Sequence, residues 1–191
     1  MRLGSVERGH RVRESLVLGL VRLKVGEAPD VLRAQMHRPE FFGRAFGAIT
    51  HRAMRGPGDW SIAERELFAA YVSTQNRCEF CEAAHSEFAC QAGDRGEVER
   101  TLREGHAGDP RLDAALTFLA AFAAGPDALS REHIDRLRTA GVRDEAIRDL
   151  AQIAFSFCLV NRLADALEFK VLSPAQFARG WPMMRDRGYR I

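Results

Sequence analysis

The chain has 191 residues, 46% hydrophobic and 28% charged, the balance of an ordinary soluble globular protein of one domain. A formal net charge of only +2 gives no footprint for nucleic acid or an anionic membrane, and four cysteines are too few for a disulfide scaffold. The apolar run at residues 16–21 is broken by Arg22 and Lys24 with no small-residue cleavage site after it, and no stretch reads as the roughly 18 apolar residues of a membrane span. The expected location is the cytoplasm, with thiols reduced at rest.

In chain order the spacing predicts helices throughout. A first amphipathic helix runs from about Val12 to Lys24, and a second starts after Glu27 with Pro29 near its first turn. Pro39 suits the first position of a third, which runs to about Met54 and is stopped by Gly56-Pro57-Gly58. Ser61-Ile62-Ala63-Glu64 is a capping box opening a fourth helix to about Gln75. A fifth carries Cys78, Cys81 and His85 and ends near Gly93. Asp109-Pro110 opens another, ended by Gly125-Pro126, and Ser130 to Ala140 is a short one closed by Gly141. Asp144 to about Phe169 is a long apolar helix suited to burial on most sides. The helix start at Ser173-Pro174 and the basic tail from Arg185 are expected at the periphery, as is the N-terminal helix. No segment alternates with period two, so no sheet is expected. The fold class is all-α, a single domain over residues 1–191 of about eight helices. The order of turn, helix and long apolar helix around residues 56–88 recurs around 125–169, where Asn161 and Asp165 stand but no CxxC. A degenerate internal repeat is therefore an open reading.

Chemistry concentrates in Cys78-Glu79-Phe80-Cys81-Glu82-Ala83-Ala84-His85. On a helix, positions i, i+3 and i+7 share one face. Two thiols three apart can close a disulfide or hold a metal, and a nearby imidazole can move a proton. A helix N-terminus lowers thiol pKa, and CxxC thiols in such places reach about 3.5–7.5. Two buried small hydrophobes are the plain structural alternative. Zinc is another, with Cys90 or a partner chain as fourth ligand, but there is no second CxxC or His pair. C-type haem attachment is disfavoured because Glu82 stands where its His is required. Cys90 and Cys158 read as core, and His10, His37, His51, His106 and His133 as surface or capping residues. No metal and no cofactor are expected.

On the helix from Ile62 to Gln75, Glu64 caps and Arg65 can point outward. Glu66 sits on a face that looks core-directed, where a carboxylate costs several kcal/mol unless paired or protonated. It has either a place in a site or an ion pair with an arginine.

Glu66 followed by Cys78-x-x-Cys81-x-x-x-His85 resembles the signature of the alkyl hydroperoxidase D–like, carboxymuconolactone decarboxylase–like superfamily. Met54-Arg55-Gly56-Pro57 and Asn161-Arg162-Leu163-Ala164-Asp165-Ala166 are similar to its peroxidase-related branch. The resemblance covers residues 28–172. It implies an all-α fold, assembly as a homo-oligomer, and thiol-dependent reduction of alkyl hydroperoxides through a CxxC disulfide cycle. It implies that Cys81 attacks the peroxide, Cys78 resolves, and Glu66 and His85 relay the proton. The partners implied are a hydroperoxide and a thiol or dithiol reductant. Helix-dipole reasoning alone points instead to Cys78, although Cys81 is four residues before His85 on one face. The alkyl hydroperoxidase D motif has a second His directly before its second Cys; here that residue is Phe80, so the relay is shorter. A disulfide oxidoreductase or redox sensor would use the same CxxC without peroxide turnover. Lactone decarboxylation, the superfamily's other activity, needs no CxxC.

Overall fold

The computed structural model describes residues 1–190, and among these it contains helices and no strand. Eleven α-helices follow one another: α1 (Gly4–Arg8), α2 (Val12–Val25), α3 (Asp30–His37), α4 (Arg44–Arg55), α5 (Ile62–Gln75), α6 (Glu79–Ala92), α7 (Arg95–Glu104), α8 (Pro110–Ala124), α9 (Arg131–Thr139), α10 (Asp144–Leu167) and α11 (Pro174–Arg187). Sequence patterning anticipates the class and nine of these, α11 by its start alone. It passes over α1 and α7, which bury few side chains (none in α1, only Val98 and Thr101 in α7), and it places α11 outside the core. Pro39 opens a wide π turn, Pro39–Gly43, before α4 rather than the first turn of one continuous α-helix.

The α5–α6 hairpin organises the rest. α5 starts at its capping box: Glu64 N–H donates to Ser61 Oγ (3.2 Å) and Ser61 N–H to Glu64 Oε2 (2.6 Å). It ends in a Schellman turn, with Cys78 N–H donating to Ser73 O and Arg77 N–H to Thr74 O, both 3.0 Å. The turn needs a left-handed residue, and Arg77 takes it at φ 58°. That conformation costs a non-glycine residue roughly 1–2 kcal/mol. Arg77→Gly is therefore expected to stabilise the protein by about 0.5–1 kcal/mol after the added freedom of the unfolded chain is subtracted. An unchanged or lower thermal midpoint would show that the Arg77 side chain contributes more than its backbone costs.

The turn sends α6 back antiparallel to α5, so that Gly93 closes against Ala63. α10 packs on α4, α5, α6 and α8. Its length and apolar composition do meet the requirement for a membrane span, contrary to the sequence reading. Here, however, Leu150, Ile153, Ala154 and Phe157 are buried in the core shared with α5 and α8.

Both ends of the chain are less peripheral than expected. α2 buries Leu18, Val21 and Val25. α11 packs on α6 and α2, with Phe177 and Trp181 buried and Trp181 tilted on Phe88 (5.8 Å between ring centroids). Gly188, at φ 64°, then turns the tail inward; a Cβ there would strike the His51 ring. Arg65 also departs from expectation. It is buried, donating from Nε to Trp60 O (2.9 Å) and from its guanidinium to Ala53 O, and it approaches Asp149. It thereby ties the start of α5 to α4 and α10.

Candidate active site

The antiparallel hairpin brings Glu66, in the first turns of α5, against His85 in the middle of α6. His85 Nδ1 lies 2.7 Å from Glu66 Oε2. Glu66 is fully buried. Burial pushes its carboxyl up, but the hydrogen bond and charge of His85 together with the Arg55 guanidinium outweigh this and hold it below the ordinary value. The carboxylate is therefore ionised and accepts the Nδ1 proton, which leaves Nε2 as the imidazole's free basic atom. No hydrogen-bond partner for Nε2 occurs among the described residues.

Arg55 supplies the ion pair that a core carboxylate requires, its guanidinium 2.6 Å from Glu66 Oε1. One carboxylate oxygen is thus paired with arginine and the other with histidine. Tyr189, which sequence reasoning missed, completes the shell. Its hydroxyl donates to Glu66 at 2.8 and 2.9 Å from the two oxygens, and its ring stacks on His85 (6.1 Å, 16°). Burial and the neighbouring Glu66 raise Tyr189 well above its ordinary value, so the phenol stays protonated as donor. Nothing in the composition of the basic tail marks Tyr189; only the turn at Gly188 aims it inward.

Cys78 is the N-cap of α6 and Cys81 its third residue. Both are free thiols and almost wholly buried, with 0% and 2% of their surface exposed. They titrate as a pair. Hydrogen bonding with Cys81 lowers Cys78 in spite of burial, whereas hydrogen bonding with Cys78 and burial raise Cys81 well above the ordinary thiol range. A first thiolate therefore resides on Cys78, as the helix-dipole argument expects. Asn161 on α10 stabilises charge on Cys81, and Asp165 opposes charge on both. Asn161 is fixed by Asn76 Nδ2 (2.8 Å) and by Ser73 Oγ (3.1 Å). Phe80 packs edge-on against Phe169 (5.4 Å) and Phe177 (6.0 Å), making this side of the pair apolar.

An apolar cavity of about 380 Å³ opens beside this group, within the range of small-molecule sites. Cys81, His85 and Tyr189 are on its wall, with Phe88 and Phe157; Cys78 is not. α2 and α11 supply much of the rest of the wall. Among the described residues no three His, Cys, Asp or Glu side chains converge as metal ligands.

A buried dithiol at a helix start, backed by a carboxylate–imidazole pair and facing an apolar cavity, defines a class of all-α site. The carboxymuconolactone decarboxylase family model matches residues 40–121. A peroxidase-related protein from Silicibacter sp. TM1040 is 26% identical over 92% of this chain and 93% of its own, with a TM-score of 0.78. The alkylhydroperoxidase AhpD core of a peroxidase-related protein from Ralstonia eutropha JMP134 is 25% identical over 89% and 90%, with a TM-score of 0.75. The debrominase Bmp8 shares the fold at 19% identity, over 89% and 91%, with a TM-score of 0.72. No curated protein sequence matches the chain. The match over residues 40–121 and the likeness to these two peroxidase-related structures support the alkyl hydroperoxidase D–like, carboxymuconolactone decarboxylase–like superfamily.

Proposed function

We propose that this protein is a thiol-dependent reductase of organic hydroperoxides that cycles Cys78 and Cys81 between dithiol and disulfide. The observation that carries the reading is the Glu66–His85 pair beside Cys81 on the wall of the apolar cavity. The thiol that ionises more readily and the thiol that attacks need not coincide, because a proton exchanges between neighbouring sulfurs. Access selects Cys81, since Cys78 is not on the cavity wall. His85 Nε2 takes the Cys81 proton, and Glu66 stabilises the imidazolium. The Cys81 thiolate attacks the outer peroxide oxygen and the O–O bond breaks. The alkoxide leaves as alcohol with the proton from His85, and Cys81 becomes a sulfenic acid. The Cys78 thiolate then attacks the Cys81 sulfur; the S–S bond forms and hydroxide leaves, protonated to water. Two electrons and two protons from an external thiol or dithiol restore the pair.

Burial of both cysteines favours a small oxidant and a small reductant over a protein disulfide, which counts against the alternative of a general disulfide oxidoreductase. The resting dithiol suits the reducing cytoplasm. The homo-oligomer implied by the family is supported by an apolar stripe on the outer face of α2, where Val12, Leu16, Leu20 and Leu23 are all exposed. The test of the function is steady-state consumption of an alkyl hydroperoxide with a dithiol as electron donor. Turnover that disappears when both thiols are alkylated supports it. Dithiol-independent loss of peroxide, or none, rejects it.

A further inference from the structure

The cavity beside Cys81 holds two buried polar side chains that the thiol chemistry does not use. Glu14 on α2 is 7% exposed and Thr50 on α4 is 4% exposed, and both are on the cavity wall. Glu14 Oε2 and Thr50 Oγ1 have no hydrogen-bond partner among the described residues, and no ion pair reaches Glu14. Glu14, Val17, Val21 and Val25 follow helical spacing and present one face of α2 to the cavity, apolar except for its first member. A carboxylate and a hydroxyl left unpaired in an apolar wall are costly, because each has lost its hydrogen bonds to water without a replacement. A ligand that donates to them recovers that cost.

Four arginines, Arg13, Arg44, Arg187 and Arg190, also border the cavity. All are exposed and none forms an ion pair among the described residues, so they argue for an anionic ligand. Their contribution is small, because an exposed ion pair is screened by solvent and salt. A ligand carboxylate brought to the buried wall would meet the Glu14 carboxylate, and like charges there are a strong rejecting element. The buried groups outweigh the exposed ones.

We propose that the cavity binds an uncharged or cationic amphiphile: an apolar body bearing, apart from its reacting group, a hydroxyl or amine that donates to Glu14, with Thr50 a further polar contact on the same wall. Under the function proposed above this molecule is the hydroperoxide substrate, and the inference rests on that reading only for the reacting end. Glu14 and Thr50 are then specificity-determining residues that select against acid-tailed hydroperoxides.

Calorimetric titration of the reduced protein with unreactive methyl octyl ether, octanediol, amino-octanol and hydroxyoctanoate tests this. Octanediol and amino-octanol are expected to bind at least about tenfold more tightly than the ether, which has no donor, and hydroxyoctanoate more weakly than the ether. In Glu14→Leu the octanediol advantage should vanish. In Glu14→Gln octanediol should keep its advantage while amino-octanol loses its own, and Thr50→Val should reduce both. Should Glu14→Leu not fold, the Glu14→Gln pattern decides alone. Tightest binding of hydroxyoctanoate would give the site to the arginines and overturn the proposal, as would equal binding of all four or binding of none. No hydroperoxide is present in these titrations. A protein that binds octanediol as expected but consumes no hydroperoxide refutes the peroxidase reading and leaves this one standing.

Discussion

Replacing Cys81 with serine is expected to bring hydroperoxide consumption down to background, a loss of several powers of ten, because the hydroxyl is neither ionised nor nucleophilic enough to replace a thiolate. Cys78→Ser should behave differently. It keeps the sulfur on the cavity wall but lacks the sulfur that closes the disulfide. One equivalent of peroxide should be consumed and a sulfenic acid should remain on Cys81, detectable with a sulfenate-selective reagent and mass spectrometry. The lowered pKa of Cys78 makes the opposite outcome concrete. A sulfenate trapped on Cys78 in the Cys81→Ser protein would reverse the roles, and proton affinity would then outweigh access in choosing the nucleophile.

Glu66→Gln and His85→Ala should each slow the peroxide step by about a hundredfold, at the lower end of what a positioned acid–base group contributes. The double variant should be little slower than the slower single one, because Glu66 acts through His85. Additive losses would mean separate roles. Tyr189→Phe removes one donor from the carboxylate but leaves Arg55 and His85, so a several-fold loss is expected. Its rate–pH profile should shift, because Glu66 then holds the imidazole under a different hydrogen-bond load. A stability effect accompanies the rate effect. The folded-state pKa of Glu66 is depressed, so its contribution is fully present above the unfolded carboxylate value of about 4.3 and is lost as pH falls through the folded value. Acid unfolding followed by circular dichroism should accordingly be less steep in Glu66→Gln, although that variant starts lower because Arg55 is left buried without its counter-charge.

How far the sequence is legible depends on how local each signal is. The Ser61–Glu64 capping box, the break at Asn76-Arg77 and the spacing of Cys78, Cys81 and His85 are written within a few residues, and each reappears as structure. The approach of Glu66 to His85 is legible because a short link forces two helices antiparallel. Arg65, Arg55, Tyr189 and Glu14 are not legible in this way. Arginine is usually solvated, so nothing local announces that Arg65 is buried among the carbonyls of Trp60 and Ala53 while Arg55 neutralises Glu66. Tyr189 reaches the site only after α11 has packed on α6 and Gly188 has turned the chain. Glu14 sits on a helix whose other apolar face, Val12, Leu16, Leu20 and Leu23, is exposed, so its amphipathic pattern does not identify the inner side. Much of the cavity wall comes from both ends of the chain, outside the stretch that carries the motif.

The most direct measurement of the central claim is a count of free thiols, with peptide mapping by mass spectrometry, before and after one equivalent of an organic hydroperoxide. Cα atoms three apart at a helix start lie about 5 Å from each other, within disulfide range. The account predicts the loss of two thiols of the four, both in the peptide holding Cys78 and Cys81, joined to each other, with Cys90 and Cys158 still free and one alcohol formed per disulfide. Unchanged thiols, or disulfides formed only between chains while Cys78 and Cys81 stay reduced, would contradict it.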